Sequence, residues 1–107
     1  MKTINEILIR ECQNNFRYYK DKYGKKYPNI LNNSLIDTNN MIGGITRCVM
    51  REDKYLLGKI FTDCKADYRG ITEVLVMKYA DYFPTEVIET CQYRLMQWEI
   101  DYKQYLV

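Results

Sequence analysis

The apolar positions at the start of the chain recur with the spacing of a helix. Thr3 and Glu6 have the form of a capping box, in which a hydroxyl and a carboxylate satisfy the first backbone N–H groups. Gly24 suits the left-handed position that often follows a helix, and Pro28 forbids continuation. The pattern therefore predicts a first helix that carries these apolar positions: Ile4, Ile7, Leu8, Cys12, Phe16, Tyr19 and Tyr23.

A second helix is predicted after a loop. Residues 28–40 are rich in asparagine, which favours turns. Asp37 or Thr38 can cap the helix that follows. The predicted helix runs from about Asn40 to Glu52, and its apolar row is formed by Met41, Ile42, Ile45, Cys48 and Val49.

The middle of the chain allows two predictions. The first is a third helix, capped by Asp53 and ending near Asp67. The alternative is a β-hairpin over residues 45–62. Apolar and polar positions alternate poorly in the second arm of that hairpin, so the pattern favours helices.

Two further helices complete the pattern. Thr72 is the predicted cap of a fourth helix that Pro84 stops, and Thr85 is the predicted cap of a last helix that runs nearly to the end of the chain. Five helices with short connections predict an all-α fold, a single-domain bundle that covers residues 1–107.

Two of these helices carry more apolar surface than a surface helix needs. The fourth is apolar nearly all round, and a domain of this size has room for one such central helix but hardly for two. The last has a second apolar stripe, which predicts a partner or homodimer interface unless the loop at residues 28–40 covers it. The residues of this predicted interface are Tyr93, Met96, Ile100 and Val107.

Composition and charge place the chain among soluble globular domains. It has 107 residues, of which 47% are hydrophobic and 28% charged. No apolar run approaches the roughly 20 residues of a membrane span. The first residues lack the apolar core of a signal peptide, so we expect a cytoplasmic protein without membrane contact. The net charge of +2 is too small to indicate nucleic-acid binding by itself.

The chemistry-bearing residues point away from catalysis. There is no histidine, which removes the commonest general base and metal ligand. The four cysteines form no close pair, which favours buried free thiols over a metal site. No glycine-rich phosphate loop is present. Glu86 and Glu89 share a helix turn, where carboxylates usually face solvent. We therefore expect no enzyme activity, no cofactor and no metal.

The stretch "FRYYKDKYGKKY" has two interpretations. Phe16, Tyr19 and Tyr23 continue the core stripe, and basic residues in a last helical turn are expected from the helix dipole alone. A nucleic-acid-binding regulator would instead use the cations for phosphates and two rings for stacking. We call the residues of this second interpretation the basic-aromatic patch: Arg17, Tyr18, Lys20, Lys22, Lys25, Lys26 and Tyr27.

The eleven tyrosines favour a function in protein binding. Tyrosine, isoleucine, asparagine and lysine all have AT-rich codons, which fits a bacterial, phage or plasmid origin. We expect a protein-binding module of the phage or mobile-element accessory type, which inhibits or modulates a host defence or replication enzyme. The alternative is the nucleic-acid-binding regulator.

Overall fold

The structure, a computed structural model, describes residues 3–24, 36–51 and 64–106. Within these ranges it has four α-helices, two 3-10 helices and no β-strand. None of the helices in these ranges combines the length and the apolar character needed to cross a membrane. The elements are α1 (Ile4–Tyr23), α2 (Met41–Met50), α3 (Thr72–Lys78), a 3-10 helix (Ala80–Tyr82), α4 (Thr85–Gln97) and a second 3-10 helix (Tyr102–Tyr105).

The all-α prediction is confirmed, but the predicted count of five helices is not matched in the described residues. Most of the predicted third helix lies outside them. Its described end is a turn and not a helix, because Lys65 and Ala66 have left-handed backbone angles, φ 51° and 60°. The first arm of the alternative hairpin is also wrong, since α2 covers residues 45–50.

Both ends of α1 follow the prediction. The Thr3 hydroxyl accepts the N–H of Glu6 at 3.2 Å, which satisfies one of the first free donors of the helix. Gly24 lies in the left-handed region with φ 61°, and its N–H donates to the carbonyl of Lys20 at 3.0 Å. A side chain at position 24 would meet no atom within 4 Å, so the backbone angle alone favours glycine here.

The cap of α2 is Asn40, so the predicted caps Asp37 and Thr38 are wrong. The Asn40 side-chain oxygen accepts the N–H of Gly43 at 3.0 Å. A Cβ at position 43 would lie 2.5 Å from the Asn40 amide nitrogen, so glycine leaves the room that this cap needs. Asp37 instead accepts the N–H of Asn39 at 2.8 Å, within the turn that precedes the helix.

The central helix of the fold is α3. Three consecutive residues, Val74, Leu75 and Val76, are buried, so the helix is covered on more than one side. It packs against α2, α4 and the second 3-10 helix. The predicted fourth helix is therefore central as expected, although its α-helical part ends at Lys78 and the chain continues as the first 3-10 helix.

The starts of α3 and α4 carry no side-chain cap. Thr72 and Thr85 were predicted as caps, and this is wrong. Each is the first residue of its helix. The cap positions are Ile71 and Pro84, both with extended backbone angles. Ile71 is buried in the core, so apolar burial sets where the chain enters α3.

The last helix ends earlier than its pattern predicts. α4 stops at Gln97, and Glu99 has φ 57°. The N–H of Ile100 donates to the carbonyl of Leu95 at 3.0 Å, and that of Glu99 donates to Met96 at 3.1 Å. These two bonds form a Schellman motif, in which apolar residues on either side of the turn pack together. Ile100 and Leu95 do so in the core.

Two apolar clusters fill the interior. The first joins α1 and α2 to α3 and α4, and its residues include Leu8, Cys12, Met41, Ile45, Val49, Leu75, Val76, Phe83, Val87 and Cys91. The second lies toward the end of α1 and is rich in aromatic residues. Its buried residues are Tyr19, Cys64, Ile71, Val74, Leu95 and Ile100. Tyr18, Tyr68 and Tyr105 pack against this second cluster, which gives an internal role to three tyrosines that fit no apolar stripe in the sequence.

Candidate functional site

Part of the basic-aromatic patch is joined to the carboxylate of Asp67. The hydroxyls of Tyr18 and Tyr23 both donate to Asp67 Oδ2, the second at 2.7 Å. Lys22 Nζ lies 3.7 Å from the same oxygen and donates to the Tyr18 hydroxyl at 2.9 Å. The polar groups of these side chains therefore have their hydrogen-bond and ion-pair partners within the fold.

Tyr19 adds a buried contact to the same turn. Its hydroxyl donates to the backbone carbonyl of Asp67 at 2.5 Å and accepts the N–H of Gly70 at 2.7 Å. We call Tyr18, Tyr19, Tyr23 and Asp67 the tyrosine–aspartate cluster. It attaches the turn that contains the left-handed residues to the end of α1.

The electrostatics of the cluster keep Asp67 ionised. Burial acts to raise the pKa of Asp67, but the hydroxyls of Tyr18 and Tyr23 and the nearby Lys22 outweigh it, so the pKa is lowered. Burial and the hydrogen bond to this carboxylate raise the pKa of Tyr23. Four polar groups contact this carboxylate, namely the hydroxyls of Tyr18 and Tyr23, Lys22 and the N–H of Arg69, so we assign it a structural role.

The remaining patch residues do not gather into one described surface. Arg17 and Lys20 are exposed on α1. The ring of Tyr18 is covered on one face by the guanidinium of Arg69, whose central carbon is 4.6 Å from the ring centre. Lys25, Lys26 and Tyr27 lie outside the described residues.

The predicted second stripe of the last helix is not one continuous face. Tyr93 and Met96 are 56% and 70% exposed on α4. Ile100 comes after the helix end and is buried, so its place in the predicted interface is wrong. Val107 lies outside the described residues.

A groove of about 460 Å³ runs along the outer side of α4. We call it the α4 groove. Glu86 and Glu89 are exposed there, and neither has an ion-pair partner within the described ranges. The groove is lined by Glu86, Glu89, Thr90, Tyr93, Arg94, Gln97 and Trp98.

Among the described lining residues, the one cation, Arg94, is turned inward. Arg94 Nη1 lies 3.2 Å from Oε2 of Glu73 and also donates to the backbone carbonyl of Val49. Both members of the ion pair are largely buried. Burial raises the pKa of Glu73, although Arg94 opposes this. The pair connects α2, α3 and α4, and it leaves the carboxylates as the exposed charges of the α4 groove.

All four cysteines are described and none forms a disulfide; three are buried and Cys48 is half-buried. Burial raises the pKa values of Cys12 and Cys91 to about 12, which keeps both thiols protonated at neutral pH. Among the residues that the structure describes, no three cysteine, aspartate or glutamate side chains are grouped so that they could hold a metal ion.

Sequence reasoning missed the residues that organise these regions. Asp67 lies 49 positions from Tyr18, and Arg94 lies 21 positions from Glu73, so no local pattern connects them. Asn15 does carry a signal. It interrupts the apolar stripe of α1 between Cys12 and Tyr19, and the structure buries it.

Comparisons with protein-family models, with curated proteins and with solved structures found no match for this chain.

Proposed function

We propose that the protein is a non-catalytic binding module that holds a short basic segment of another protein in the α4 groove. The observation that carries this proposal is the exposure of Tyr93 in a groove whose two carboxylates have no ion-pair partner within the described ranges, with Met96 exposed at a neighbouring position of the same helix. Large apolar side chains at the surface, with polar groups around them, are typical of protein contact sites.

The charges of the groove indicate the chemistry of the partner. Within the described part of the chain, Glu86 and Glu89 have no ion-pair partner and can pair with arginine or lysine of another protein, while Arg94 is already paired with Glu73. The rings of Tyr93 and Trp98 line the same groove, and an aromatic face attracts a cation that lies over it. A partner segment with a basic and an apolar side chain would meet both kinds of group.

The size of the groove favours a short segment over a broad interface. A stable interface between two globular proteins buries about 800 Å² on each partner. Two exposed side chains on one helix fall well short of that area, whereas a groove of about 460 Å³ can take a few side chains of a peptide. This argument favours a peptide segment over a second copy of the chain.

The biological setting is proposed from composition alone. The AT-rich coding of the chain favours a phage or mobile-element accessory protein, and a module that binds a short basic segment could inhibit or modulate a host enzyme. The nucleic-acid-binding alternative has less support, since Tyr18 belongs to the tyrosine–aspartate cluster and Lys22 donates to its hydroxyl.

Selection from a display library of random 12-residue peptides tests the proposal. We expect the enriched peptides to carry arginine or lysine together with an aromatic or aliphatic residue. Tyr93→Ser should weaken a selected peptide about tenfold or more, as for a central interface residue. Met96→Ser, at a neighbouring exposed position of α4 outside the groove lining, should weaken it to a smaller extent. Tyr82→Ser and Met50→Ser are matched controls, since both side chains are exposed but lie outside the α4 groove.

Three outcomes would contradict the proposal. Enriched peptides that bind the Tyr93 and Met96 variants unchanged would place the site elsewhere. Self-association that is lost in Met96→Ser, measured by sedimentation, would assign the face to a homodimer. Binding of a labelled oligonucleotide that falls on Arg17→Gln and Lys20→Gln, with no peptide enriched, would favour the nucleic-acid regulator.

A further inference from the structure

A second cavity lies between α1 and α3, apart from the α4 groove. It has a volume of about 340 Å³, at the small end of the range for ligand pockets. Val74 and Leu75 of α3 form apolar parts of its lining, and Tyr18 of α1 also borders it. We call it the α1–α3 pocket.

Asn15 gives this pocket a polar group. The residue lines the pocket and is only 9% exposed. No hydrogen bond of its amide occurs within the described ranges, and the amide atoms are not fully enclosed by the protein, so the amide opens into the space of the pocket. An amide in this position can bond to a ligand through its donor or its acceptor.

Of the two cations that the described residues contribute to the pocket, one has a counter-ion there. Lys78 is neutralised by Glu11, since its Nζ lies 3.1 and 3.2 Å from the two carboxylate oxygens. Tyr79 donates to the same carboxylate at 2.9 Å. Arg69 lies over the ring of Tyr18, and its guanidinium has no carboxylate partner within the described ranges.

A third donor lies in the same lining. The Tyr105 hydroxyl accepts the N–H of Tyr68 at 3.1 Å, so its own proton is available to a ligand. Arginine, amide and hydroxyl donors around one positive charge match the oxygens of a carboxylate, which arginine binds through two parallel hydrogen bonds.

We propose that the α1–α3 pocket binds a small organic monoanion. Arg69 and Asn15 hold its carboxylate, and Val74, Leu75 and the ring of Tyr18 contact its apolar body. A single uncompensated cation favours a monoanion over a doubly charged phosphate. The site is separate from the α4 groove, so the two proposals stand or fall independently.

Titration with benzoate, followed by ¹H–¹⁵N NMR, tests this inference. We expect saturable shifts of the Asn15 side-chain amide and the Arg69 Nε–H signal at millimolar benzoate. Benzamide, which has the same shape without the charge, should bind at least about tenfold more weakly, as should inorganic phosphate.

Variants separate a built site from general attraction of an anion. Arg69→Gln should weaken benzoate at least about tenfold, because a hydrogen-bonded charge pair is lost. Asn15→Leu should also weaken it while the spectrum stays that of a folded protein. Arg17→Gln is the matched control, since it removes an exposed charge of α1 that does not line the pocket. Equal binding of benzoate and benzamide, no saturation, or equal losses in Arg17→Gln and Arg69→Gln would overturn the inference.

Discussion

The end of α1 and the outer face of α4 both present tyrosines, but the two regions use them in opposite ways. At the end of α1, the hydroxyls of Tyr18, Tyr19 and Tyr23 all find acceptors on Asp67. On α4, Tyr93 is more than half exposed, and no acceptor for its hydroxyl occurs in the described part of the chain.

The presence of tyrosines alone therefore does not show whether a surface stabilises the fold or binds a partner. A tyrosine whose hydroxyl is held by a carboxylate contributes to stability, since its polar end is satisfied without water. A tyrosine that is exposed beside unpaired charges is free for a partner. The composition of the basic-aromatic patch is more typical of a binding surface, yet the large apolar side chains of α4 are the ones exposed to a partner.

We expect the largest loss of stability from a change to Asp67 at the end of α1. Asp67→Asn removes the charge that accepts the hydroxyls of Tyr18 and Tyr23, so we expect a loss of about 2–3 kcal/mol in the free energy of unfolding at pH 7. Urea unfolding measures it. Asp21→Asn, which changes an exposed carboxylate on α1, is the control and should have little effect.

The same variant has a pH signature. The pKa of Asp67 is lowered from its usual 3.8, so its stabilisation is present above that pH and is lost as the pH falls through the folded pKa. The difference between wild type and Asp67→Asn should therefore shrink at pH 3. Burial raises the pKa of Glu73, which acts in the opposite direction, but both proteins share that effect. A difference that stays constant with pH would contradict a charged role for Asp67.

A pair of equal chemical changes tests the comparison directly. Tyr19→Phe leaves the Asp67 carbonyl and the Gly70 N–H without their buried partner, at a cost of about 1–2 kcal/mol. Tyr93→Phe removes the same hydroxyl from an exposed ring and should change stability by less than about 0.5 kcal/mol. Thermal and urea unfolding of both variants measure this difference, and similar losses in both would show that the two regions are not distinct.

We expect a small effect from a change to Glu99, which tests where α4 ends. Glu99 has φ 57° after the end of α4, a conformation that glycine adopts without strain. Glu99→Gly should therefore stabilise the protein by about 0.5–1 kcal/mol. If the helix continued through this position, the same change would destabilise it by a similar amount. The sign of the shift in melting temperature thus decides whether Ile100 shares a helical face with Met96.

The features predicted correctly from the sequence are those with a local cause. The hydroxyl of Thr3 and the glycine at position 24 act on backbone groups within four residues, so their pattern identifies both ends of α1. The all-round apolar character of α3 likewise predicts its central position, because an apolar surface on every side has to be covered on every side. Helical spacing also places Tyr93 and Met96 together on α4, where both are exposed.

The all-α character of the fold and the central position of α3 thus follow from the amino-acid sequence itself, since backbone hydrogen bonds and apolar periodicity act over a few positions. The end of α4, the use of the α1 tyrosines and the α1–α3 pocket depend on contacts between distant residues. Glu99 is not a residue type that typically follows a helix end. The chain nevertheless leaves α4 after Gln97, because Ile100 packs with Leu95 in the core. Tyr19 and Gly70 are 51 positions apart, and packing alone brings them within hydrogen-bonding distance.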